Sequence, residues 1–413
     1  MCCEASCLSV QQEAPPSLFG VHRRRRAVAE IPLCVAPAAT CLAASQPSTP
    51  APQKDTDGGG GGGGVTLLLC CALALAAPPL AQWDECRCSL GPSGRDQVAD
   101  CDDQQIGDQL PDCLPANVTI LRLSGNLITQ LDNTTFAALP DLVRVELHMN
   151  QIATVAVDTF VNNPAVIQVF LNINNLTELL PGTFSYTPLL NSLYIDYNNL
   201  TQLDGSIFHN NTELAYLSVE YNLLTSLDRS SFAEVPSLRY LLLCGNRLEY
   251  VAGDTFADLP LLRELHLCEN SLVQLEPGLF SPLPQLTILW LGSNSLVDLP
   301  LDAFVNGSTV VEYVYVENNA LQVLDAALVS GWPRLLGMRL YGNPWLCDCS
   351  LQPAVQWLSS QLWAGVPSGY CAAPPELQGQ LLADAVPPLC CGADCDSSTT
   401  EDSDTSTTAS GQP

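Results

Sequence analysis

Between Val118 and Thr309 the apolar positions return with a fixed spacing, a 24-residue pattern repeated eight times without an insertion. The first copy reads Val118-x-x-Leu121-x-Leu123-x-x-Asn126-x-Ile128-x-x-Leu131, followed by Phe136 and Leu139. One period later the same places hold Leu142, Val145, Leu147, Asn150, Ile152, Val155 and Phe160. A ninth copy is read at Tyr313, Tyr315 and Asn318, and a tenth, displaced by one residue, at Leu335, Met338, Leu340 and Asn343. In the x-Leu-x-Leu-x segment alternate side chains face opposite ways, which predicts one short strand per period with Leu121 and Leu123 inward and Ile120, Arg122 and Ser124 outward. A lone strand of that length cannot bury its apolar face. Stacked copies can, by pairing strands about 4.8 Å apart over one continuous core.

Two further positions complete the pattern. Asparagine recurs at 126, 150, 174, 198, 222, 246, 270, 294, 318 and 343, where the chain leaves each strand and bends inside the coil. Its amide both donates and accepts, so it can satisfy main-chain groups that would otherwise be buried alone. Phenylalanine recurs at 136, 160, 184, 208, 232, 256, 280 and 304, filling the side opposite the strands, and Leu328 takes its place in the ninth copy.

A period in this range written L-x-x-L-x-L-x-x-N-x-L resembles the leucine-rich repeat family, over nearly all of Cys86 to Cys395. The resemblance implies an α/β solenoid, a leucine-rich repeat horseshoe with a concave parallel β-sheet and one short strand per 24-residue repeat, with ten repeats across residues 118–342. Residues 82–117, with Cys86, Cys88, Cys101 and Cys113, resemble the cysteine-rich N-terminal cap of extracellular members, although Gln82 stands where the usual cap has one more cysteine. Four cysteines allow three pairings, of which Cys86 with Cys101 and Cys88 with Cys113 is the expected one. Residues 343–395, through Asn343-Pro344-Trp345-Leu346-Cys347-Asp348-Cys349, Trp357 and Cys371, resemble the C-terminal cap. That resemblance implies Cys347 with Cys371, and Cys349 with Cys390 or Cys391.

Composition narrows the function. Acidic residues outnumber basic ones 43 to 15, with Lys54 the single lysine, which argues against nucleic acid and favours partners of basic character. The nineteen cysteines, clustered at the ends with one internal pair, read as a disulfide framework and an oxidising compartment. Residues 1–64, with Arg23 to Arg26 and a glycine tract, read as a disordered leader. Residues 65–81 read as a signal peptide, or as an anchor if they remain uncleaved, so membrane association depends on that segment. Residues 396–413 read as a Ser/Thr-rich tail. Six acceptor sequons, at Asn117, Asn133, Asn175, Asn199, Asn210 and Asn306, fit a secreted or extracellular glycoprotein, and none falls on an outward strand position.

Sugars would therefore leave the concave face bare. Counting outward positions places Phe170, Tyr194, Tyr197, Tyr216, Tyr221, Tyr240, His266 and Trp290 there, interleaved with Glu146, Asp196, Glu220, Glu264, Glu269, Glu312 and Glu317. Aromatic side chains outside a core give large contact area at low ordering cost, which predicts a surface for a protein or peptide ligand. The alternative is that the rings stack across strands only to stabilise the sheet. Cys244 and Cys268 share an outward position in adjacent repeats, close enough for a disulfide or to stand as two free thiols. The four histidines show no metal spacing, and no nucleophile elbow is present, so no metal, cofactor or catalytic site is expected. Adhesion or ligand recognition is the first reading of function. A structural matrix component that organises fibres is the second, and an intracellular scaffold the third.

Overall fold

The computed structural model describes residues 88–93, 96–304, 310–360 and 368–385. Its main sheet has twelve strands, from Ser89–Ser93 to Gly337–Arg339. The first two, Ser89–Ser93 and Asp96–Asp100, form an antiparallel hairpin, and every later strand adds in parallel to the one before. Partners lie one period apart, as in Leu121 opposite Val145 and Val145 opposite Val169. Each strand of the main sheet after the hairpin is three residues long because the pattern supplies only two alternate inward positions before the asparagine turn. Those inward residues, Leu121, Leu123, Val145, Leu147 and their successors as far as Val314 and Val316, have no solvent exposure, and Met338 in the last coil keeps a little.

The asparagines hold the stack together. Asn150 Nδ2 donates to the carbonyls of Leu123 and Leu147 at 2.8 and 3.0 Å, and its Oδ1 accepts from the Ile128 amide at 3.1 Å. One side chain thus joins its own turn to the one before. The residue preceding it takes a left-handed backbone in turn after turn, at Met149, Ile173, Tyr197, Tyr221, Glu269 and Ser293, with Gly125, Gly245 and Gly342 at the same place. On the opposite side the phenylalanines stack from coil to coil, Phe136 on Phe160 at 5.4 Å between ring centres and Phe280 on Phe304 at 4.9 Å. Leu328 is buried in the ninth coil, but the ring that meets Phe304 there is Trp332, edge-on at 5.2 Å.

The ninth repeat differs from the sequence expectation by one residue. Ile288 pairs with Tyr313, a step of 25, so Val314 and Val316 point inward and Tyr313 and Tyr315 lie on the open face. The ladder asparagine is Asn319, not Asn318: Asn319 Nδ2 donates to the carbonyls of Leu291 and Val316, while Asn318 is exposed. A one-residue slip exchanges the two faces of a strand. Two valines can be buried without loss, whereas two tyrosine hydroxyls would need partners there.

Disulfides close both ends. Cys88 is bonded to Cys101, in place of the expected Cys86 with Cys101 and Cys88 with Cys113. The hairpin explains it: Ser89 faces Asp100, so the next pair outward is Cys88 with Cys101, with Cα atoms 4.3 Å apart. Cys113 is itself disulfide-bonded, and Cys86 lies outside the described residues. At the other end Cys347 is bonded to Cys371. Cys349 is also in a disulfide, while Cys390 and Cys391 lie outside the described residues. The helix Gln352–Ser360 covers the last coil with Ala354, Val355 and Leu358, and Trp345 beneath it donates from Nε1 to the Leu340 carbonyl at 2.8 Å. Among the described residues no helix is long and apolar enough to cross a membrane.

Candidate functional site: the concave face

The rigid period sets outward side chains in columns, each residue beside its counterpart in the next strand. In one stretch Phe170 stacks on its counterpart Tyr194 at 4.4 Å, Tyr194 meets Tyr216 diagonally at 4.7 Å, its own counterpart being Ser218, and Tyr216 meets its counterpart Tyr240 at 5.9 Å. In another His266, Trp290 and Tyr315 follow one another at 5.2 and 4.0 Å. A cation covers the outer ring of each: the Arg144 guanidinium sits 4.5 Å over Phe170 and that of Arg339 4.6 Å over Tyr315. Arg144, Arg339, Tyr313 and Tyr315 were not among the residues singled out by sequence. The tyrosines were hidden by the register slip, whereas both arginines stand on the strands at outward positions of the period.

A second pair stands further out. Tyr197 and Tyr221 stack at 4.5 Å on the left-handed turn positions, where the backbone lifts them away from the sheet. Tyr197, Tyr221 and Tyr240 keep 51%, 36% and 37% of their surface exposed, whereas Phe170, Tyr194 and Tyr216 are half-buried among their neighbours. Stacking across strands and an open tyrosine surface therefore coexist, and Tyr197, Tyr221 and Tyr240 take part in both.

The carboxylates fall into two groups. At the ends they meet arginine: Arg144 Nε lies 2.6 Å from Glu146, Arg122 Nη1 3.2 Å from Asp100, and Arg339 Nη1 3.6 Å from Glu317. In the middle stand Asp196, Glu220, Glu264 and Glu269, whose only cationic partner among the described residues is His266. Its Nε2 lies 2.8 Å from Glu264 and its Nδ1 3.7 Å from Glu220. Burial pulls the His266 imidazole down, but hydrogen bonds to Glu220 and Glu264 outweigh it and the net shift is upward. Loss of water lifts the Asp196 carboxyl to about 6, with Ser218 opposing and Glu220 adding to the rise. Loss of water also raises Glu317, against the pull of Arg339. Tyr221, whose hydroxyl donates to Glu269 at 3.2 Å, is pushed up to about 12 by burial and by that carboxylate. Glu312 lies at the foot of its strand, where its carbonyl accepts from the amides of Leu336 and Gly337.

Cys244 and Cys268 are joined across adjacent strands, with Cα atoms 4.6 Å apart. Of the sequon asparagines, Asn117, Asn133, Asn175, Asn199 and Asn210 are exposed, and Asn306 lies outside the described residues. Two asparagines on the far side escaped the sequence reading altogether. Asn163 and Asn211, fully buried, each tie two carbonyls of the preceding coil, and only their spacing of two periods hinted at it.

A family profile described as leucine rich repeat matches residues 140–200, 188–248 and 236–296, on the same coils that carry the strand and asparagine columns. The chain is a leucine-rich repeat protein. It is related to extracellular members with disulfide-capped ends. Nephrocan of Mus musculus is 40% identical over 70 residues, 17% of this chain and 14% of that protein. Platelet glycoprotein Ib beta chain of Homo sapiens is 39% identical over 98 residues, 20% of this chain and 45% of that protein. This leucine-rich repeat chain thus spans less than half the length of the curated relatives it matches. Among solved structures, a chain of the octameric complex of Latrophilin 3 (Lec, Olf), Unc5D (Ig, Ig2, TSP1) and FLRT2 (LRR) superposes with a TM-score of 0.62 at 23% identity. The match covers 71% of this chain and 95% of that one, and it establishes likeness of fold.

Proposed function

We propose that this protein works outside the cell as a non-catalytic binding module that captures a protein or peptide of basic character on its concave face. The carrying observation is the juxtaposition of exposed Tyr197, Tyr221 and Tyr240 with four carboxylates that have His266 as their only cationic partner among the described residues. Tyrosines offer rigid contact area, and unneutralised carboxylates attract and orient a lysine- or arginine-bearing segment. The related solved chain belongs to a multiprotein complex, which accords with a face used for protein contact. Exposed sequons outside the strand columns, together with disulfides, support an extracellular setting.

Binding to an array of peptides graded in lysine and arginine content tests the reading. Affinity should rise with basic content, fall with added salt, and drop at least about tenfold in Tyr197→Ala/Tyr221→Ala, the scale of a strong interface contact. Equal capture of neutral and acidic peptides would defeat it.

A further inference from the structure

On the same face, Glu220, Cys244 and His266 bring a carboxylate oxygen, a sulfur and an imidazole nitrogen within 4.8 Å of one another. Cys244 is bonded to Cys268, so a second sulfur adjoins the first. The imidazole is already oriented. Nε2 lies 2.8 Å from Glu264 and Nδ1 is turned to Glu220, whose oxygen lies 3.7 Å away, so in the neutral ring with Nε2–H donating to Glu264 it is Nδ1 that carries the lone pair. A carboxylate behind a histidine is the arrangement that fixes the tautomer of a metal-binding imidazole and strengthens its donor nitrogen.

We propose that the Cys244–Cys268 bridge and a divalent cation are alternative occupants of one site. In the reduced protein, Cys244 Sγ, Cys268 Sγ, His266 Nδ1 and a Glu220 oxygen bind a single tetrahedral ion of the zinc class. Two sulfurs, one nitrogen and one oxygen suit zinc, whose bonds of about 2.0–2.3 Å put neighbouring ligand atoms roughly 3.5 Å apart. The Glu220, Cys244 and His266 donors therefore need to close by about an ångström, a side-chain adjustment on strands whose backbone is held by the asparagine ladder. The proposal does not depend on what the tyrosine surface binds.

The chemistry balances with a dithiol reductant of the thioredoxin class. It supplies two electrons and two protons and becomes a disulfide, while the Cys244–Cys268 bond breaks to two thiols. Metal binding then releases those two protons to solvent as the thiolates form. Reoxidation by a disulfide reverses the sequence and expels the ion.

The test titrates the full-length protein with Co(II) and then Zn(II), after anaerobic reduction and in the oxidised state, alongside Cys244→Ser/Cys268→Ser treated identically. The reduced parent should take up one ion per chain more than the double variant and show thiolate-to-cobalt charge-transfer and tetrahedral bands that zinc displaces. The oxidised parent should lack those bands. Cap cysteines freed by reduction are common to both proteins and cancel in the difference, and circular dichroism confirms that the repeats stay folded. His266→Ala, which keeps both sulfurs, should weaken the extra site at least about tenfold. Equal uptake by reduced parent and double variant would overturn the proposal, and so would the same bands in the oxidised protein.

Discussion

Gly245 lies directly beneath the ring of Tyr221, so that a β-carbon at position 245 would occupy the space of the ring's edge. Its backbone φ of +70° is also one that side-chain-bearing residues seldom adopt. Seven neighbouring repeats tolerate a side chain at the equivalent left-handed position, so the ring, more than the backbone, decides the glycine here. Gly245→Ala should lower stability by about 1–2 kcal/mol, the scale of a left-handed non-glycine residue, and should also displace Tyr221. Chemical denaturation gives the first value. Loss of peptide binding equal to that of Tyr221→Ala would show the second, and unchanged binding would mean that the ring finds another seat.

The ladder makes a sharper prediction at two adjacent asparagines. Asn319→Ala removes bonds to the Leu291 and Val316 carbonyls and strands the Leu296 amide, all buried. Leaving such groups unsatisfied costs about 1–3 kcal/mol apiece before relaxation, so a loss of at least about 3 kcal/mol is expected. Asn318→Ala, at an exposed position, should cost less than about 1 kcal/mol. Equilibrium unfolding of the pair reads the register directly, and the reverse ranking would refute it.

Acid should weaken capture of a basic peptide. Asp196 has its carboxyl raised to about 6 in the folded chain, so it loses its charge as pH falls through that value, and His266, shifted upward, gains charge as pH falls through its own raised value. Both changes make the face less negative. Asp196→Asn should remove the carboxylate's share of the decline below about pH 6 and leave that of His266, as followed by titration calorimetry across pH 5–8. For stability the sign is opposite. Because the folded state holds the Asp196 proton more tightly than the unfolded chain, whose carboxyl titrates near about 3.9, this residue's contribution falls as pH rises from about 4 to 6. His266 is favoured in its charged form, and the stability it adds is present at low pH and lost as pH climbs through its raised folded value.

Trp332 ends the aromatic column on the convex side, 2% exposed and edge-on to Phe304. Trp332→Ala should cost about 3–5 kcal/mol. Because Leu328 beside it is buried but does not meet Phe304 as a ring, Leu328→Ala should not reproduce the loss of aromatic near-ultraviolet signal that accompanies it.

The solenoid, its parallel sheet, the inward leucines and the asparagine column were legible in the residues from 118 to 304, because a strict period allows each repeat to check the others. The open face was legible for the same reason: Phe170 and Tyr194, and Tyr216 and Tyr240, had to be neighbours once the period was known. Legibility ended where the period did. Tyr313 and Tyr315 match the apolar pattern as well as Val314 and Val316 do, and only burial of the valines against the coils on either side chooses between the two registers. The Cys88–Cys101 pair likewise depends on which residues oppose each other in a hairpin, a matter of strand register that spacing between cysteines does not contain. Nor could spacing show that Arg144 and Arg339 lie over the outermost rings, or that His266 reaches Glu220 forty-six positions earlier in the chain. Local periodicity determines which way each side chain points. Which side chains meet is decided by the stacking of the coils, since contacts between them are set by distance in space and not along the chain.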